Sequence, residues 1–339
     1  MTHRPKPDAE QLLLSQPTVA RLIDLCAALR QAVLPFLGLH AARGHSGAAV
    51  GGDVTFRIDE VAEALLEDYM ARHLPGWACY SEDRGLQGAE SPDVILVVDP
   101  IDGTRPAAAG LESAMVSIAA VPGMAHPTMG DVSAGVLQEI KTGDLFVAAK
   151  GLGVSMRTAA GEEIPLRPSQ TADLESLFWT IGFRGRPALV LAAALEDLID
   201  RSSVGGGVFD LGSATYCMTR VLTGQMDAYV DIGPAIIETH PWAEDEFRRV
   251  GRGAVLNNSP YDLAAAYLLV TEAGLSVTDA AGGSLSGRLL LGSGHEYQMA
   301  TVIAGNETLH EALLEVVQRG IGSLRPPQAA AGTTGTRED

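Results

Sequence analysis

Cysteine is scarce in this sequence, and the few cysteines are scattered. The 339 residues contain only Cys26, Cys79 and Cys217, which lie far apart along the chain. This excludes a disulfide framework and a cysteine-rich zinc site. It is typical of a protein kept in the reducing cytoplasm, which is the location that we expect.

Long hydrophobic runs are also missing. No apolar stretch approaches the roughly 20 residues that a helix needs to cross a bilayer. The most apolar early stretch, residues 19–39, is interrupted by Arg21, Asp24 and Arg30. The first residues carry no apolar segment after their basic side chains, so we expect neither a signal peptide nor a membrane partner.

Positive charge is in deficit. The chain has 24 Lys and Arg residues against 42 Asp and Glu residues, which gives a net charge of −18. A protein this acidic repels the backbone of nucleic acids and the surface of anionic lipids, so we expect neither as a partner. If the substrate is an anion, metal cations held by carboxylates are the obvious means of neutralising the local field.

The sequence does contain alternating helical and strand-like patterns. Hydrophobic residues make up 46% of the chain, enough for a sizeable core. Apolar periodicity predicts helices over residues 17–39, 59–73, 189–199, 213–222, 259–273 and 308–318. It predicts strands over residues 93–99, 114–121, 132–139, 144–149, 227–231 and 301–304.

These patterns predict an α/β (α+β) protein built from two halves. Helices interleave with strands in both halves, and the consecutive strands between residues 114 and 149 indicate an antiparallel region. A polar, proline-containing stretch marks a boundary, so we expect an N-terminal half over residues 16–165 and a C-terminal half over residues 166–325. Residues 1–15 and 326–339 lack apolar periodicity and are expected to be disordered ends.

The most informative segment is DPIDGT at residues 99–104. It places Asp99 and Asp102 at the end of a buried strand, where charges are costly unless they are paired or bound to metal. Gly103 lets a ligand approach the backbone, and Thr104 begins a following helix, whose N-terminus favours phosphate. The alternative is an ordinary turn in which an aspartate caps the helix.

Further acidic residues occupy comparable positions. Glu82 and Asp83 follow a short strand-like pattern, and Asp262 lies in the first turn of a helix that is preceded by Ser259. Asp59 lies near the start of another predicted helix. For Asp59 and Asp83, helix capping or solvation explains the residue at least as well as a function does.

In combination, these segments resemble the inositol monophosphatase / fructose-1,6-bisphosphatase superfamily of metal-dependent, lithium-sensitive phosphatases. The signature of that superfamily is an acid near a helix start, an acidic pair, D-P-I/L-D-G-T, and W-D-x-A-A ahead of E-A-G-G. Here the order is Asp59, Glu82–Asp83, DPIDGT, and YDLAA at 261–265 leading to TEAG at 271–274. The resemblance covers residues from about 17 to about 320 and implies a layered αβαβα sandwich.

The resemblance implies a Mg²⁺-dependent phosphomonoesterase with two to three ions in its active site. The first ion would be held by Glu82, Asp99 and the carbonyl group of Ile101. The second would be held by Asp99, Asp102 and Asp262, and a third, weaker ion would lie near Glu82. Hard oxygen ligands of this kind suit Mg²⁺, and one shared carboxylate can hold two ions.

The resemblance also implies roles in catalysis and substrate binding. The expected catalytic residues are Asp59, Thr104 and Glu82, with Thr104 and Asp59 orienting and deprotonating the attacking water. The expected substrate-binding residues are Gly103, Thr104, Gly212, Ser213, Ala214 and Asp231. Of these, Gly103 and Thr104 would hold the phosphate through backbone N–H groups, and Asp231 would bind a substrate hydroxyl. A homodimer is also expected.

Several positions depart from the superfamily pattern, and the largest departure is one segment. Residues 232–258 form a connection that is far longer than the handful of residues expected in the inositol phosphatases, which leaves the substrate open. One hypothesis makes this segment a specificity lid, in which Arg248, Arg249 or Arg252 contacts the substrate. The alternative is a surface insertion whose arginines pair with neighbouring acids.

The leading interpretation is therefore a phosphatase of a small phosphorylated metabolite, either inositol monophosphate or a sugar phosphate. One alternative is a 3′-phosphonucleotide phosphatase of the same superfamily. Another is a non-catalytic metal-binding homologue, which the complete acid set disfavours because a protein released from catalysis has no reason to retain buried like charges.

Asp99→Asn is expected to abolish hydrolysis of p-nitrophenyl phosphate while leaving the fold intact or more stable. Asp99 would bridge two ions, and the loss of its charge relieves repulsion in the metal-free protein. Hydrolysis rates with Mg²⁺ test the loss of activity, and the midpoint of thermal unfolding tests the stability of the fold. Metal-dependent activity within about tenfold of the wild-type rate would contradict the assignment.

Overall fold

A computed structural model describes residues 9–49 and 54–326 of the chain. Its helices are α1 (Ala9–Leu14), α2 (Pro17–Val33), α3 (Arg57–His73), α4 (Thr104–Ala109), α5 (Ala188–Arg201), α6 (Ala214–Thr223), α7 (Gly233–Thr239), α8 (Ala243–Val250), α9 (Pro260–Glu272) and α10 (Glu307–Ser323). Among these residues, no helix has both the length and the apolar character that crossing a membrane requires.

The strands complete the list of elements. They are β1 (His45–Ala48), β2 (Val54–Phe56), β3 (Ala78–Ser81), β4 (Gly85–Gly88), β5 (Val94–Asp102), β6 (Met115–Pro122), β7 (Ala134–Glu139), β8 (Leu145–Ala149), β9 (Gly153–Arg157), β10 (Glu163–Ile164), β11 (Phe178–Ile181), β12 (Gly207–Phe209), β13 (Ala228–Asp231), β14 (Val277–Thr278) and β15 (Thr301–Ala304).

These strands form two large sheets and a small β1–β2 pair. The first sheet has eight strands in the order β10-β9-β8-β7-β6-β5-β3-β4, and every neighbouring pair is antiparallel except β3 and β5. The second has five strands in the order β12-β11-β13-β15-β14, with β11 parallel to both of its neighbours. The antiparallel region predicted between residues 114 and 149 is confirmed.

Strand β5 shows how the first sheet becomes buried on both faces. Side chains alternate across a strand, so Leu96 and Val98 pack on the side of α2 and α3, whereas Ile95 and Val97 face the core shared with α6 and α9. A third core, around Trp179, lies between the second sheet and the helices α5 and α10. The layers therefore alternate helix, sheet, helix, sheet, helix, which confirms the predicted αβαβα sandwich.

The chain passes from the first sheet to the second between residues 164 and 178, and the predicted division into halves at residue 165 stays a prediction. Strand β10 ends at Ile164, and β11 begins at Phe178. The halves nevertheless share a core, because α6 and α9 from the C-terminal half pack against the first sheet. This shared core places the start of α9 next to the end of β5, where the acidic motif lies.

Two predictions about the N-terminal region are wrong. Residues 9–14, expected to be disordered, form α1, because Leu13 is buried in the core and the Glu10 carboxylate accepts hydrogen bonds from Ser155 and Arg157. The helix predicted over residues 17–39 ends at Val33, where a 3₁₀ turn containing Pro35 follows. Residues 1–8 and all of the predicted tail beyond Pro326 lie outside the described residues.

A buried ion pair joins α6 to the first sheet. The Arg220 Nη2 atom lies 2.5 Å from Oε1 of Glu139, and the two residues are 7% and 2% exposed. The guanidinium group also lies over the ring of Tyr216, with 4.3 Å between Arg220 Cζ and the ring centroid. This pair stabilises the position of the helix whose first turn contributes to the site described below.

Arg220→Met is expected to lower the free energy of unfolding by about 3 to 5 kcal/mol, because it leaves the Glu139 carboxylate buried without its cationic partner. The double variant Arg220→Met/Glu139→Gln should lose clearly less, since no uncompensated charge remains. Denaturant unfolding of the two variants and the wild type measures this difference. Equal destabilisation of both variants would show that the packing of Arg220, rather than the charge pair, stabilises α6.

Candidate metal centre and active site

The site begins at an irregularity in strand β5. Pairing with β6 is regular up to Asp99 and shifts before Asp102. In a regular strand, residues three positions apart point to opposite faces, so the shift is what brings both carboxylates to one side. Asp99 and Asp102 are 2% and 5% exposed, and the backbone N–H of Ile101 donates to Asp99 Oδ1 over 2.9 Å.

Gly103 makes the turn out of β5 possible. Its φ is +91°, and a Cβ atom there would lie 2.5 Å from the carbonyl oxygen of Ser113 and 2.9 Å from Cβ of Ser213. Helix α4 begins directly afterwards, and the Thr104 hydroxyl donates to the carbonyl oxygen of Ile101 over 3.1 Å. The motif therefore forms a tight strand–turn–helix unit with its acids on the inside.

Asp102 is held by the first turn of α6. Its Oδ2 atom accepts hydrogen bonds from the Ser213 hydroxyl and the Thr215 N–H, both over 2.7 Å, and from the Thr215 hydroxyl. The Ala214 N–H donates to Oδ1 over 3.3 Å. Ser213 and Ala214 thus bind an acid of the site, and their predicted contact with substrate, together with that of Gly212, stays a prediction.

Asp262 lies in the first turn of α9. Ser259 is the N-cap residue, and its backbone N–H donates to Asp262 Oδ2 over 2.6 Å, which completes a capping box. The Ser259 cap and the position of Asp262 in the first turn, both predicted from the sequence, are confirmed. The capping also fixes the carboxylate, which is 8% exposed, at the end of β5.

Asp99, Asp102 and Asp262 form a compact cluster, referred to below as the acid triad. Each offers a carboxylate oxygen, and these atoms all lie within 4.8 Å of one another. Burial raises the pKa of all three groups, well above the usual range for Asp99 and to about 7 for Asp262. The neighbouring negative charges raise the pKa of Asp99 and Asp262 further. This is the electrostatic environment that a divalent cation stabilises.

Glu82 lies beside the acid triad. Together with the triad it lines a cavity of about 20 Å³, and Ile101, Gly103 and Thr104 line the same cavity. The charge of Glu82 contributes to the raised pKa of Asp99, second only to burial. The structure therefore brings together every predicted metal-binding residue: Glu82, Asp99, Ile101, Asp102 and Asp262.

Asp59 has a capping role in the structure. Its Oδ2 atom accepts a hydrogen bond from the Phe56 N–H over 2.8 Å and closes the start of α3. The capping alternative is therefore confirmed for Asp59, and its catalytic role stays a prediction. Asp83, for which capping or solvation was the alternative, instead accepts a hydrogen bond from the Thr55 hydroxyl over 2.9 Å.

Asp231 lies in an arrangement that differs from the predicted one. Its carboxylate is 1% exposed and pairs with the guanidinium group of Arg186, with 3.2 Å between Oδ1 and Nε. The N–H of Gly233 also donates to Oδ1 over 3.3 Å. Arg186 lines the cavity next to Gly212 and Ser213, whereas Asp231 lies behind it. The predicted contact of Asp231 with a substrate hydroxyl stays a prediction.

Sequence reasoning missed Arg184, which lines the cavities that also contain Glu82 and Asp262. Its positive charge lowers the pKa of Asp262, against the larger effects of burial and of Asp102. Arg184 follows strand β11, and that strand was not predicted. A polar GFRGR segment after an apolar run was the available signal.

The long connection 232–258 folds into α7 and α8. Two of its three arginines pair with acidic residues of their own helix, α8. Arg248 pairs with Glu244 over 2.6 Å and Arg249 with Glu246 over 2.7 Å. These pairings favour the surface alternative for Arg248 and Arg249, and a contact with the substrate stays a prediction. Arg252 is exposed in the turn after α8. Leu256 and Asn257, at the end of the connection, do line a cavity with Glu82.

The structure is therefore an αβαβα sandwich with a buried acid cluster where β5, α6 and α9 meet. Comparisons with known proteins identify its family. The model of the inositol monophosphatase family matches residues 23–321. The chain belongs to this family. The resemblance stated from the sequence motifs is thereby confirmed.

Individual relatives are distant but extend along most of the chain. The fructose-1,6-bisphosphatase/inositol-1-monophosphatase of Methanothermobacter thermautotrophicus is 26% identical and the alignment covers 87% of this chain and 95% of the relative. The Nus factor SuhB of Salmonella typhimurium is 27% identical, and the alignment covers 77% of this chain and 81% of the relative. The Thermotoga maritima IMPase superposes with a TM-score of 0.65 at 21% identity, covering 91% of this chain and 99% of that one, and shows the same fold.

The metal-free protein is expected to lose stability as the pH rises from about 4 to about 7. The folded-state pKa of Asp262 is about 7, above the ordinary value of 3.8, so the folded state retains a proton that the unfolded chain has already released. A shift of about three pKa units corresponds to an upper limit of roughly 4 kcal/mol. Denaturant unfolding in EDTA at several pH values measures the slope.

Two variants make this measurement specific. Asp262→Asn can still accept the Ser259 N–H but carries no charge, so its unfolding free energy should depend less on pH. Asp245→Asn, which removes an exposed carboxylate on α8, should keep the wild-type slope. A slope that is unchanged in Asp262→Asn would show that repulsion in the acid triad does not control the pH dependence.

Proposed function

We propose that this protein is a Mg²⁺-dependent phosphomonoesterase that hydrolyses a small phosphorylated metabolite, either an inositol monophosphate or a sugar phosphate. The observation that carries the proposal is the acid triad with Glu82 beside it, in a chain of the inositol monophosphatase family. Buried like charges at this density destabilise a protein without a ligand, so a cation-dependent function explains why they are there.

The donor set fits Mg²⁺ in its chemistry. All the side-chain donors are carboxylates, which are hard oxygen ligands, and histidine and cysteine are absent from the described cluster. We assign one position to Glu82, Asp99 and the Ile101 carbonyl, and another to the acid triad. A third ion near Glu82 completes the proposal. Bound Mg²⁺ would neutralise the charge of the phosphate and lower the pKa of a water molecule.

The residues around this cluster would orient the substrate and the water. The Thr104 hydroxyl, which donates to the Ile101 carbonyl in this structure, lies on the cavity wall and would contact the attacking water. Asp59 would accept the proton through the carboxylate that now caps α3. The N–H groups of Gly103 and Thr104 would bind phosphate oxygens, and Gly212 would contribute the opposite side of the cavity.

Substrate recognition would involve the arginines of the β11 loop. Arg184 lines the cavities next to Glu82 and Asp262, where an anionic substrate would be attracted to a guanidinium group. Arg186 is engaged by Asp231, so recognition of a hydroxyl by Asp231 would require that ion pair to open. The net charge of −18 disfavours a nucleic-acid polymer as partner. A homodimer and a cytoplasmic location also remain part of the proposal.

Purified protein is expected to hydrolyse p-nitrophenyl phosphate with Mg²⁺ and to lose this activity in EDTA. Asp102→Asn should lower kcat by at least about a hundredfold, because it removes one charge from the acid triad. The amide oxygen can still accept from the donors that bind Oδ2, whereas the Ala214 N–H loses its acceptor. Asp245→Asn is the matched control, since it removes a carboxylate from the exposed side of α8, and should retain wild-type turnover.

A substrate panel would separate the alternatives within the family. It contains inositol 1-phosphate, fructose 1,6-bisphosphate and 3′-phosphoadenosine 5′-phosphate, each tested at equal concentration with Mg²⁺. A preference in kcat/KM for the nucleotide would favour the 3′-phosphonucleotide phosphatase. Metal binding without turnover of any compound would favour the non-catalytic homologue and contradict the proposed function.

A further inference from the structure

Glu63 is a buried charged residue with no part in the site as predicted from the sequence. It lies in α3, one turn after Asp59, and is only 3% exposed. Charged side chains are almost never this buried unless they are paired or hydrogen-bonded, because removal from water is costly. Its partners therefore show what it does.

Both carboxylate oxygens of Glu63 bind the turn that carries Glu82. Oε2 accepts a hydrogen bond from the Ser81 hydroxyl over 3.0 Å, and Oε1 accepts one from the backbone N–H of Asp83 over 3.4 Å. These donors are the residues immediately before and after Glu82. A single side chain of α3 thus holds the proposed metal ligand from both neighbouring positions.

The direction of the side chains along this turn fits such a role. Ser81 and Asp83 face α3, since Ser81 binds Glu63 and the Asp83 carboxylate accepts from Thr55, just before that helix. Glu82, which lies between them, faces the other way and lines the cavity with Asp99. Holding Ser81 and Asp83 against α3 therefore sets the direction in which Glu82 projects.

We propose that Glu63 is a positioning residue that fixes Glu82 for metal binding through its hydrogen bonds to Ser81 and Asp83. This inference rests on the proposed function in one respect only, namely that Glu82 is a metal ligand. Outer hydrogen bonds of this kind orient ligands before the metal arrives, and their loss typically weakens metal affinity about 10- to 100-fold.

The test measures metal affinity directly as well as activity. Mn²⁺ is titrated into wild-type protein and variants in a calorimeter, and the Mg²⁺ concentration for half-maximal hydrolysis of p-nitrophenyl phosphate is determined alongside. Glu63→Ala should weaken Mn²⁺ binding at least about tenfold and raise the Mg²⁺ requirement in parallel. The thermal midpoint in EDTA reports separately whether the metal-free fold has changed.

Two variants distinguish positioning from a general effect of charge. Glu63→Gln can accept from the Asp83 N–H and donate to the Ser81 hydroxyl, so its affinity should stay within about threefold of wild type. Asp68→Ala, further along α3, removes an exposed carboxylate that pairs with Arg72, and should keep wild-type affinity. If Glu63→Gln is as impaired as Glu63→Ala, or if Asp68→Ala is, the hydrogen-bond proposal is overturned.

Ser81→Ala keeps the proposal testable if Glu63→Ala does not fold. This variant removes the hydroxyl that donates to Glu63 and leaves the hydrogen bond from the Asp83 N–H in place. It should weaken Mn²⁺ binding by about threefold or more. Wild-type affinity in Ser81→Ala, or in a folded Glu63→Ala with a lowered thermal midpoint, would assign Glu63 a purely structural role. If the wild-type protein itself neither binds Mn²⁺ nor hydrolyses the ester, the proposed function fails instead.

Discussion

Mutual repulsion among buried carboxylates is the constraint on which the arrangement of this protein depends. Three aspartates with oxygens within 4.8 Å of one another repel each other and would separate unless the chain held them in place. Asp102 is held by hydroxyl and N–H donors of α6, and Asp262 by the cap of α9. Both helix N-termini present the positive end of a helix dipole to this region, which lowers the energy of concentrated negative charge.

The layered fold brings these elements within reach of one another. Helix α9 lies between the two sheets and approaches strand β7 closely, since a Cβ atom on Gly135 would lie only 3.0 Å from the carbonyl oxygen of Ala265. The Ser117 hydroxyl on β6 donates to the Tyr261 carbonyl over 3.2 Å, beside Asp262. Packing of apolar faces thus sets the position of the helix, and the polar contacts set the position of its first turn.

Two arginines, Arg184 and Arg186, line the cavity next to the acid triad. Arg186 binds Asp231, donates through Nη1 to the Arg184 carbonyl over 2.6 Å, and reaches Asn258 over 3.4 Å. It therefore connects the β11 loop to the end of β13 and to the approach of α9. Asp231 is thereby paired within this network, and Arg184 lies beside the acid triad.

The sequence by itself determined the family and most of the helices, and it predicted about half of the strands and a set of acids that the structure brings together. These depend on local information: apolar periodicity, the Ser259 cap, and the DPIDGT motif. The tertiary structure alone decided that Asp99 and Asp102 share a side, because only the irregular pairing of β5 cancels the alternation of a strand. It also decided the partners of Asp231 and Glu63, which lie 45 and about 20 positions away along the chain. Hydrogen bonds over such separations depend on how layers pack, and local sequence patterns carry no information about that.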